Sequence, residues 1–344
     1  MHPEGNMHFS IEKEVFLKGL SRVQGIVEKR NTIPILSNVL VEADQNGILL
    51  TATDLEVGMR AAYPADVKTL GKITVSAKKI FEIIKELPEK EISFKAKENC
   101  WIEISCGKSL FNIVGLSSDE FPHFPEPDGS KMVPLSCDLL GEMIDKTYFS
   151  VSTDETKYNL NGIYFKTIEE NGSEQLLLVA TDGHRLALAQ RPAETGGIEE
   201  LADGVIFPRK GILELKKITE EAEGEIKFGF MDNSAVIINN DTVVVMRLVD
   251  GDFPDYTRVI PKNNDEIINI PRDLFLHALK RMAILSSEKS KGVKIELKNG
   301  LLEISSSNPE IGDAREELEI AYKGDEMSIG FNARYVIDIL QVLD

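Results

Sequence analysis

The sequence predicts an α+β protein made of three tandem copies of one domain, each joining antiparallel strands to two short helices. Two observations carry this. Two kinds of strand-to-helix unit each occur three times along the 344 residues, and a strand meander lies between them in every copy. The repeat period is on the order of a hundred residues, longer than any solenoid repeat, so each copy is expected to be its own domain.

The first unit is an apolar strand running into an amphipathic helix. It appears as HFSIEKEVFLKGLSRVQGIV from His8, VPLSCDLLGEMIDKTYFSVS from Val133 and INIPRDLFLHALKRMAILSS from Ile268. A Ser or Pro near each strand's end is followed within two or three residues by an acid and then by apolar residues at helical spacing. The meander follows, as NVLVEADQNGILLTATDLEVGMRAAY from Asn38, GIYFKTIEENGSEQLLLVATDGHRLALAQ from Gly162 and VKIELKNGLLEISSSNPEIGDAREELEIAY from Val293. Each reads as three strands with polar turns.

The second unit closes the copy, as ITVSAKKIFEIIKEL from Ile73, VIFPRKGILELKKIT from Val205 and MSIGFNARYVIDILQVL from Met327. A small residue or Pro, a basic position and apolar residues three and four apart mark the helix. Six helices are thus expected, over residues 11–30, 77–87, 137–149, 208–219, 271–283 and 332–344. Copies one and two then continue into a strand pair, from Glu91 and from Glu225, whereas copy three reaches Asp344 directly after its helix. A hairpin and tail are expected to be missing there. Pro-rich linkers, EFPHFPEPDGSK (120–131) and DFPDYTRVIPKNND (252–265), divide the chain into a leader over 1–6 and domains over 7–130, 131–264 and 265–344.

Composition narrows the function. Hydrophobic residues make up 42% and charged residues 28%, ordinary for a globular chain, and no apolar run reaches the roughly 20 residues of a membrane helix. The N-terminal MHPEGNMHF lacks the features of a signal peptide, so a cytoplasmic location is expected. Cys100, Cys106 and Cys137 show no metal-binding spacing and read as small core residues. The net charge of −18 argues against attraction of nucleic acid over the whole surface. The six helices nevertheless hold seventeen Lys and Arg against twelve Asp and Glu, leaving −23 for the rest of the chain. Helices sharing one face of the sheets would therefore present a basic surface suited to a phosphate backbone.

LVATDGHRLA, from Leu178, sets an acid beside an imidazole and invites a general acid/base reading. Aligning the three meanders places Asp182, Gly183 and His184 opposite Asp54, Leu55 and Glu56, and opposite Asn308, Pro309 and Glu310. The Asp or Asn persists and the His does not, which points to a turn instead of a catalytic dyad. No phosphate-binding glycine loop, metal cluster or nucleophile triad is present in the sequence, so no catalytic residue, metal or cofactor is assigned.

At several stretches the sequence resembles the bacterial DNA polymerase III beta subunit, the replicative sliding clamp: NTIPILSNVL from Asn31, TDLEVGM from Thr53, YNLNGIYF from Tyr158, VATDGHRLALA from Val179, FPRKGILEL from Phe207, LVDGDFPDYTRVIPKN from Leu248 and AILSSEKSKGVKIEL from Ala283. The resemblance runs from about Met7 to Asp344 and implies a ring: a head-to-tail homodimer of three clamp domains per chain, sheets outside and helices lining a hole for duplex DNA. It implies a processivity factor that binds without sequence specificity, and DNA polymerase III, the clamp loader and other proteins carrying clamp-binding motifs as partners.

By matching position, the resemblance puts Lys18, Arg30, Lys78, Lys85, Lys157, Tyr158, Arg209 and Lys210 toward DNA, with Asn159 where the family has an aromatic. It gives a peptide groove to Leu160, Thr181, Gly183, His184, Arg185, Leu186, Pro254, Arg258, Val259, Asn332 and Tyr335, with Ser290 replacing an aromatic on the rim. It also sets Phe111 and Ile113 of the first domain against Ile284 and Leu285 of the third domain in a second chain, with Lys108 opposite Glu316, Glu317 or Glu319.

Overall fold

The structure, a computed structural model, describes residues 6–27, 33–127, 132–262, 267–287 and 290–343. In the first copy β1 (Met7–Glu12) runs into α1 (Lys13–Gln24), and β2 (Asn38–Ala43), β3 (Ile48–Thr53) and β4 (Val57–Tyr63) form the meander. A short β5 (Asp66–Thr69) precedes β6 (Gly71–Ser76) and α2 (Ala77–Glu86), and β7 (Glu91–Ala96), β8 (Trp101–Cys106) and β9 (Ser109–Val114) follow. The second copy repeats the order with β10 (Val133–Ser136), α3 (Cys137–Tyr148), β11 (Gly162–Glu170), β12 (Ser173–Thr181), β13 (Leu186–Pro192), a single-turn α4 (Glu199–Asp203), β14 (Val205–Pro208), α5 (Arg209–Glu221), β15 (Glu225–Met231), β16 (Ser234–Asn239) and β17 (Thr242–Arg247). The third copy has α6 (Arg272–Ile284), β18 (Gly292–Lys298), β19 (Leu301–Asn308), β20 (Gly312–Glu319), β21 (Met327–Asn332) and α7 (Ala333–Val342).

The helix starts are written locally. Ser76, Ser136 and Asn332 each accept a backbone N–H from the first turn of the helix they precede, and Pro208 and Pro271 stand in the corresponding place before α5 and α6. Strand alternation does the rest. In β8, buried Ile102, Ile104 and Cys106 alternate with more exposed Trp101, Glu103 and Ser105, so one face meets the helices and the other meets water. Cys106 and Cys137 are buried, as expected of small core residues, and Cys100 is half-buried.

Among the described residues four antiparallel sheets result, ordered β5-β1-β7-β8-β9, β10-β15-β16-β17-β4-β3-β2-β6, β13-β12-β11-β14 and β20-β19-β18-β21. The eight-stranded sheet crosses from the first copy to the second through β17 and β4, with Thr242 opposite Ala61 and Met246 opposite Val57. One hydrophobic core therefore runs through the first two copies, while the third keeps a separate one around Leu279, Ile295 and Ile304.

Four local features differ from the sequence reading. The segments after α2 and α5 hold three strands each instead of a pair, because two-residue turns at 107–108 and 240–241 fold the chain back once more, β9 as the edge of its sheet and β17 as the strand that joins β4. Residues 268–270 form no strand; β1 and β10 are held by β7 and β15, and among the described residues the third copy offers no equivalent partner. The α4 turn was not expected. Finally, residues 121–124 are a packed strap. Phe121 joins Ile35, Leu36 and Leu40, and Phe124 lies on Val236 and Val245 under the Arg60 guanidinium, 4.8 Å from its ring, across the β4/β17 junction.

Candidate functional site

Asp182 builds the turn between β12 and β13. Its Oδ1 accepts the backbone N–H groups of His184 (2.9 Å) and Arg185 (3.1 Å), and its Oδ2 accepts Arg185 Nε at 3.1 Å. Thr181 Oγ1 accepts the Gly183 N–H and donates to the Arg185 carbonyl at 2.6 Å, while Gly183 takes φ 89°, a conformation that favours glycine. Asp54 binds the N–H groups of Glu56 and Val57 in the same way, and Asn308 binds that of Glu310. The shared element is an Asx turn, and the Asp182 carboxylate is engaged with it instead of with the His184 ring.

This turn walls a cavity of about 370 Å³ that brings together Leu160, Thr181, Gly183, His184, Arg185, Leu186, Pro254 and Val259. Three other residues expected there sit differently. Arg258 extends into solvent, with its side chain 82% exposed and Nε 2.9 Å from Asp255. Asn332 caps α7 through the Arg334 N–H at 3.0 Å. Tyr335 stands behind the wall, its ring 6.3 Å from that of His184 and 4.6 Å from the Arg185 guanidinium. Asp255 and Tyr256 line the cavity and were missed by sequence reasoning. Their signal lies in FPDYTR: Asp255 caps a 3-10 turn over Tyr256–Arg258, and Phe253 stacks on Tyr164 at 4.9 Å, docking the segment on β11. Burial pushes the Tyr164 and Tyr256 hydroxyls above their ordinary value, so both are neutral at physiological pH.

Arg185 does more than line this cavity. Its guanidinium holds Asp338 Oδ2 on α7 at 2.6 Å and donates to the Phe149 carbonyl at 2.5 Å. The groove wall is therefore also a fastening between the second and third domains.

The residues expected to face DNA fall into separate groups. Tyr158, Arg209 and Lys210 line one cleft of about 590 Å³, where Tyr158 is 62% exposed and Arg209 Nε donates to the Tyr148 hydroxyl at 3.1 Å. Lys210 corrects the expectation. Its ammonium donates to the Ile26 carbonyl at 2.7 Å and pairs with the buried Asp54 carboxylate, so it is committed to the junction of the first two domains. Lys18 lines a second cleft with Arg22 and Lys217, two cations the sequence reading did not name; Arg22 pairs with Glu221 and Lys217 with Glu214. Lys78 and Lys85 are exposed on α2, with Lys78 3.8 Å from Glu82. Lys157 donates to the Asp182 carbonyl at 3.2 Å, Asn159 donates to the Asp252 carbonyl at 3.1 Å, and Arg30 lies outside the described residues.

Two sheet edges carry the residues expected at a ring joint. Phe111 and Ile113 sit on edge strand β9, facing the helix side. Ile284 is 75% exposed at the end of α6, and Leu285 caps that helix. Lys108 is in the β8/β9 turn, and Glu316, Glu317 and Glu319 are on edge strand β20 of a different sheet. Glu316 is bound by Arg281, with Nε at 2.8 Å, and this pairing holds its carboxyl below the ordinary value. Ser290, expected on the groove rim, is exposed and lines a separate cleft with Lys294, Arg315 and Asn332.

Comparison with known proteins decides the family. Models of the N-terminal, central and C-terminal domains of the DNA polymerase III beta subunit match residues 7–125, 134–255 and 257–344. The chain belongs to the DNA polymerase III beta subunit family. It is 39% identical over 336 residues to the beta sliding clamp of Caulobacter vibrioides, covering 97% of this chain and 90% of that one, and 36% identical over 339 residues to that of Escherichia coli, covering 98% and 90%. A crystal structure of the Caulobacter crescentus beta sliding clamp with PEG bound superposes with a TM-score of 0.94 at 38% identity, covering 99% of this chain and 91% of that one. The Bartonella birtlesii sliding clamp, bound to griselimycin, gives 0.93 at 36%, covering 98% and 91%. A beta subunit is a processivity factor and not an enzyme, and the three tandem clamp domains follow that plan. Among the described residues no helix is long and apolar enough to cross a membrane, and no cluster of His, Cys, Asp and Glu gathers to hold a metal ion.

Proposed function

We propose that this beta subunit closes with a second copy, head to tail, into a cytoplasmic ring around duplex DNA, with clamp domains over residues 7–130, 131–264 and 265–344. The pairing of β17 with β4 carries this reading. By the internal repeat β9 is the counterpart of β17, and β20 that of β4; among the described residues of the single chain both β9 and β20 are unpaired sheet edges. An open edge is a template for another strand. Carrying the internal register over sets Ser109 opposite Glu316, Phe111 opposite Ala314 and Asn112 opposite Asp313 of the second copy, and brings Lys108 to the glutamates of β20. Phe111 and Ile113 then extend the apolar layer toward Ile284 and Leu285.

Inside the ring, Lys18, Lys78, Lys85, Tyr158 and Arg209 supply phosphate contacts without base readout, and topology supplies retention. On the rim, the cavity beside Arg185 takes an extended peptide from DNA polymerase III, the clamp loader or other clamp users. Leu160, Leu186, Pro254 and Val259 accept its apolar side chains, while the His184 ring meets its polar atoms.

Paired cysteines test the joint. Asn112→Cys combined with Asp313→Cys should yield a covalent dimer on mild oxidation, in which both junctions of the ring can close. No covalent dimer at any protein concentration would refute strand pairing in this register.

A further inference from the structure

Lys157 stands where the DNA surface and the groove meet, and we infer that it is a positioning residue of the groove wall which duplex DNA competes to remove. This rests on the groove and the DNA surface proposed above. The segment from Ser152 to Asn161 is a closed loop: the Ser152 N–H donates to the Leu160 carbonyl at 3.0 Å, and the Leu160 N–H to the Lys157 carbonyl at 2.8 Å. Within four consecutive residues this loop serves two sites. Leu160 lines the groove, while Tyr158 lines the cleft of Arg209. The Asn161 carbonyl accepts the Arg209 N–H at 3.1 Å, fixing the loop to the start of α5.

Lys157 points to the groove side. Its ammonium donates to the Asp182 carbonyl at 3.2 Å and lies 3.5 Å from where a Cβ on Gly183 would stand. Asp182 already spends its carboxylate on the N–H groups of His184 and Arg185, so this carbonyl contact is the loop's hold on the wall itself. A carbonyl offers an ammonium only a dipole. A DNA phosphate offers a full charge and releases counterions when it is bound.

Phosphate bound beside Tyr158 and Arg209 therefore draws Lys157 off the turn, and the wall loses part of its preorganisation for peptide. Linkage makes the effect reciprocal: a peptide that fixes the turn keeps Lys157 from DNA. Clamp users would then bind more tightly to a ring whose Lys157 is not engaged by phosphate.

Fluorescence anisotropy reads this with a labelled peptide carrying adjacent Leu and Phe, titrated with the whole chain with and without a saturating short duplex whose own binding is followed in parallel. The native chain should bind the peptide about threefold more weakly when duplex is present, the scale of one modest hydrogen bond. Lys157→Met should bind about threefold more weakly without duplex and show no further response to it. Lys157→Arg, which keeps the donor and the charge, should restore both behaviours; a merely structural loop residue would give no such rescue of the duplex response. A bound duplex that leaves native peptide affinity unchanged, or a response that survives in Lys157→Met, overturns the proposal and leaves the groove standing. Failure of the native chain to bind peptide at all, or duplex at all, overturns the groove or the DNA surface together with it.

Discussion

The Arg185 guanidinium on the groove wall and the Asp338 carboxylate on α7 meet at 2.6 Å, so one side chain serves both the groove and the junction of the second and third domains. Both side chains are largely shielded, at 17% and 20% exposure, and charged hydrogen bonds in such settings contribute about 1.5–3 kcal/mol. Arg185→Ala should lower stability by about that amount and weaken peptide binding as well. Asp338→Asn should affect stability more than binding. A double-mutant cycle by urea denaturation should return a coupling energy of about 1 kcal/mol or more, and additive effects would mean that the pair does not hold the domains.

Arg209 and Lys210 are neighbours in sequence with different tasks. Arg209→Ala should reduce the salt dependence of duplex binding by about one phosphate contact with little change in melting temperature. Lys210→Ala leaves the buried Asp54 carboxylate unpaired, and should cost about 3 kcal/mol of stability while changing the salt slope less. The reverse pattern would return Lys210 to the DNA surface.

Phe124 is 5% exposed beneath Arg60, on the face of the eight-stranded sheet opposite the helices. Phe124→Ala should cost about 3–4 kcal/mol, as expected when a buried aromatic is truncated, and should show as a lower urea midpoint for the fused first and second domains. An unchanged midpoint would make the strap an ornament.

His8 gives the first domain a pH dependence. Burial, then the charges of Lys95 and Lys68, lower its pKa from the ordinary 6.5, outweighing Asp66 and Glu103. The unfolded chain thus holds the proton more tightly than the folded one. The stabilisation is complete above 6.5 and is lost as pH falls through the lowered folded value. Urea midpoints at about pH 7.5 and about pH 5.5 should differ less in His8→Gln than in the native chain. An equal acid-side loss in the variant would remove His8 from the account.

What the sequence made legible was local. The three Asx turns, the caps at Ser76, Ser136 and Asn332, and the period-two strands depend on residues within a few positions, so alignment of the copies finds them. The fate of Lys210 was not legible, because Asp54 lies 156 positions away in another domain. The same holds for Arg185 and Asp338, 153 positions apart. Strands β9 and β17 were folded into their neighbours because two-residue turns leave little punctuation, yet the ring reading depends on both, on β9 as an open edge and on β17 as its paired counterpart. Tyr256 and Asp255 escaped because position within the cavity is set by the docking of Phe253 on Tyr164, a contact between segments.

The central claim is closure of two chains into a ring, and solution mass by light scattering over a dilution series tests it most directly. A species near twice 38.3 kDa, converted to a single chain by Phe111→Asp without loss of folded structure, is the predicted result. A mass near 38.3 kDa at every concentration would contradict the pairing of β9 with β20.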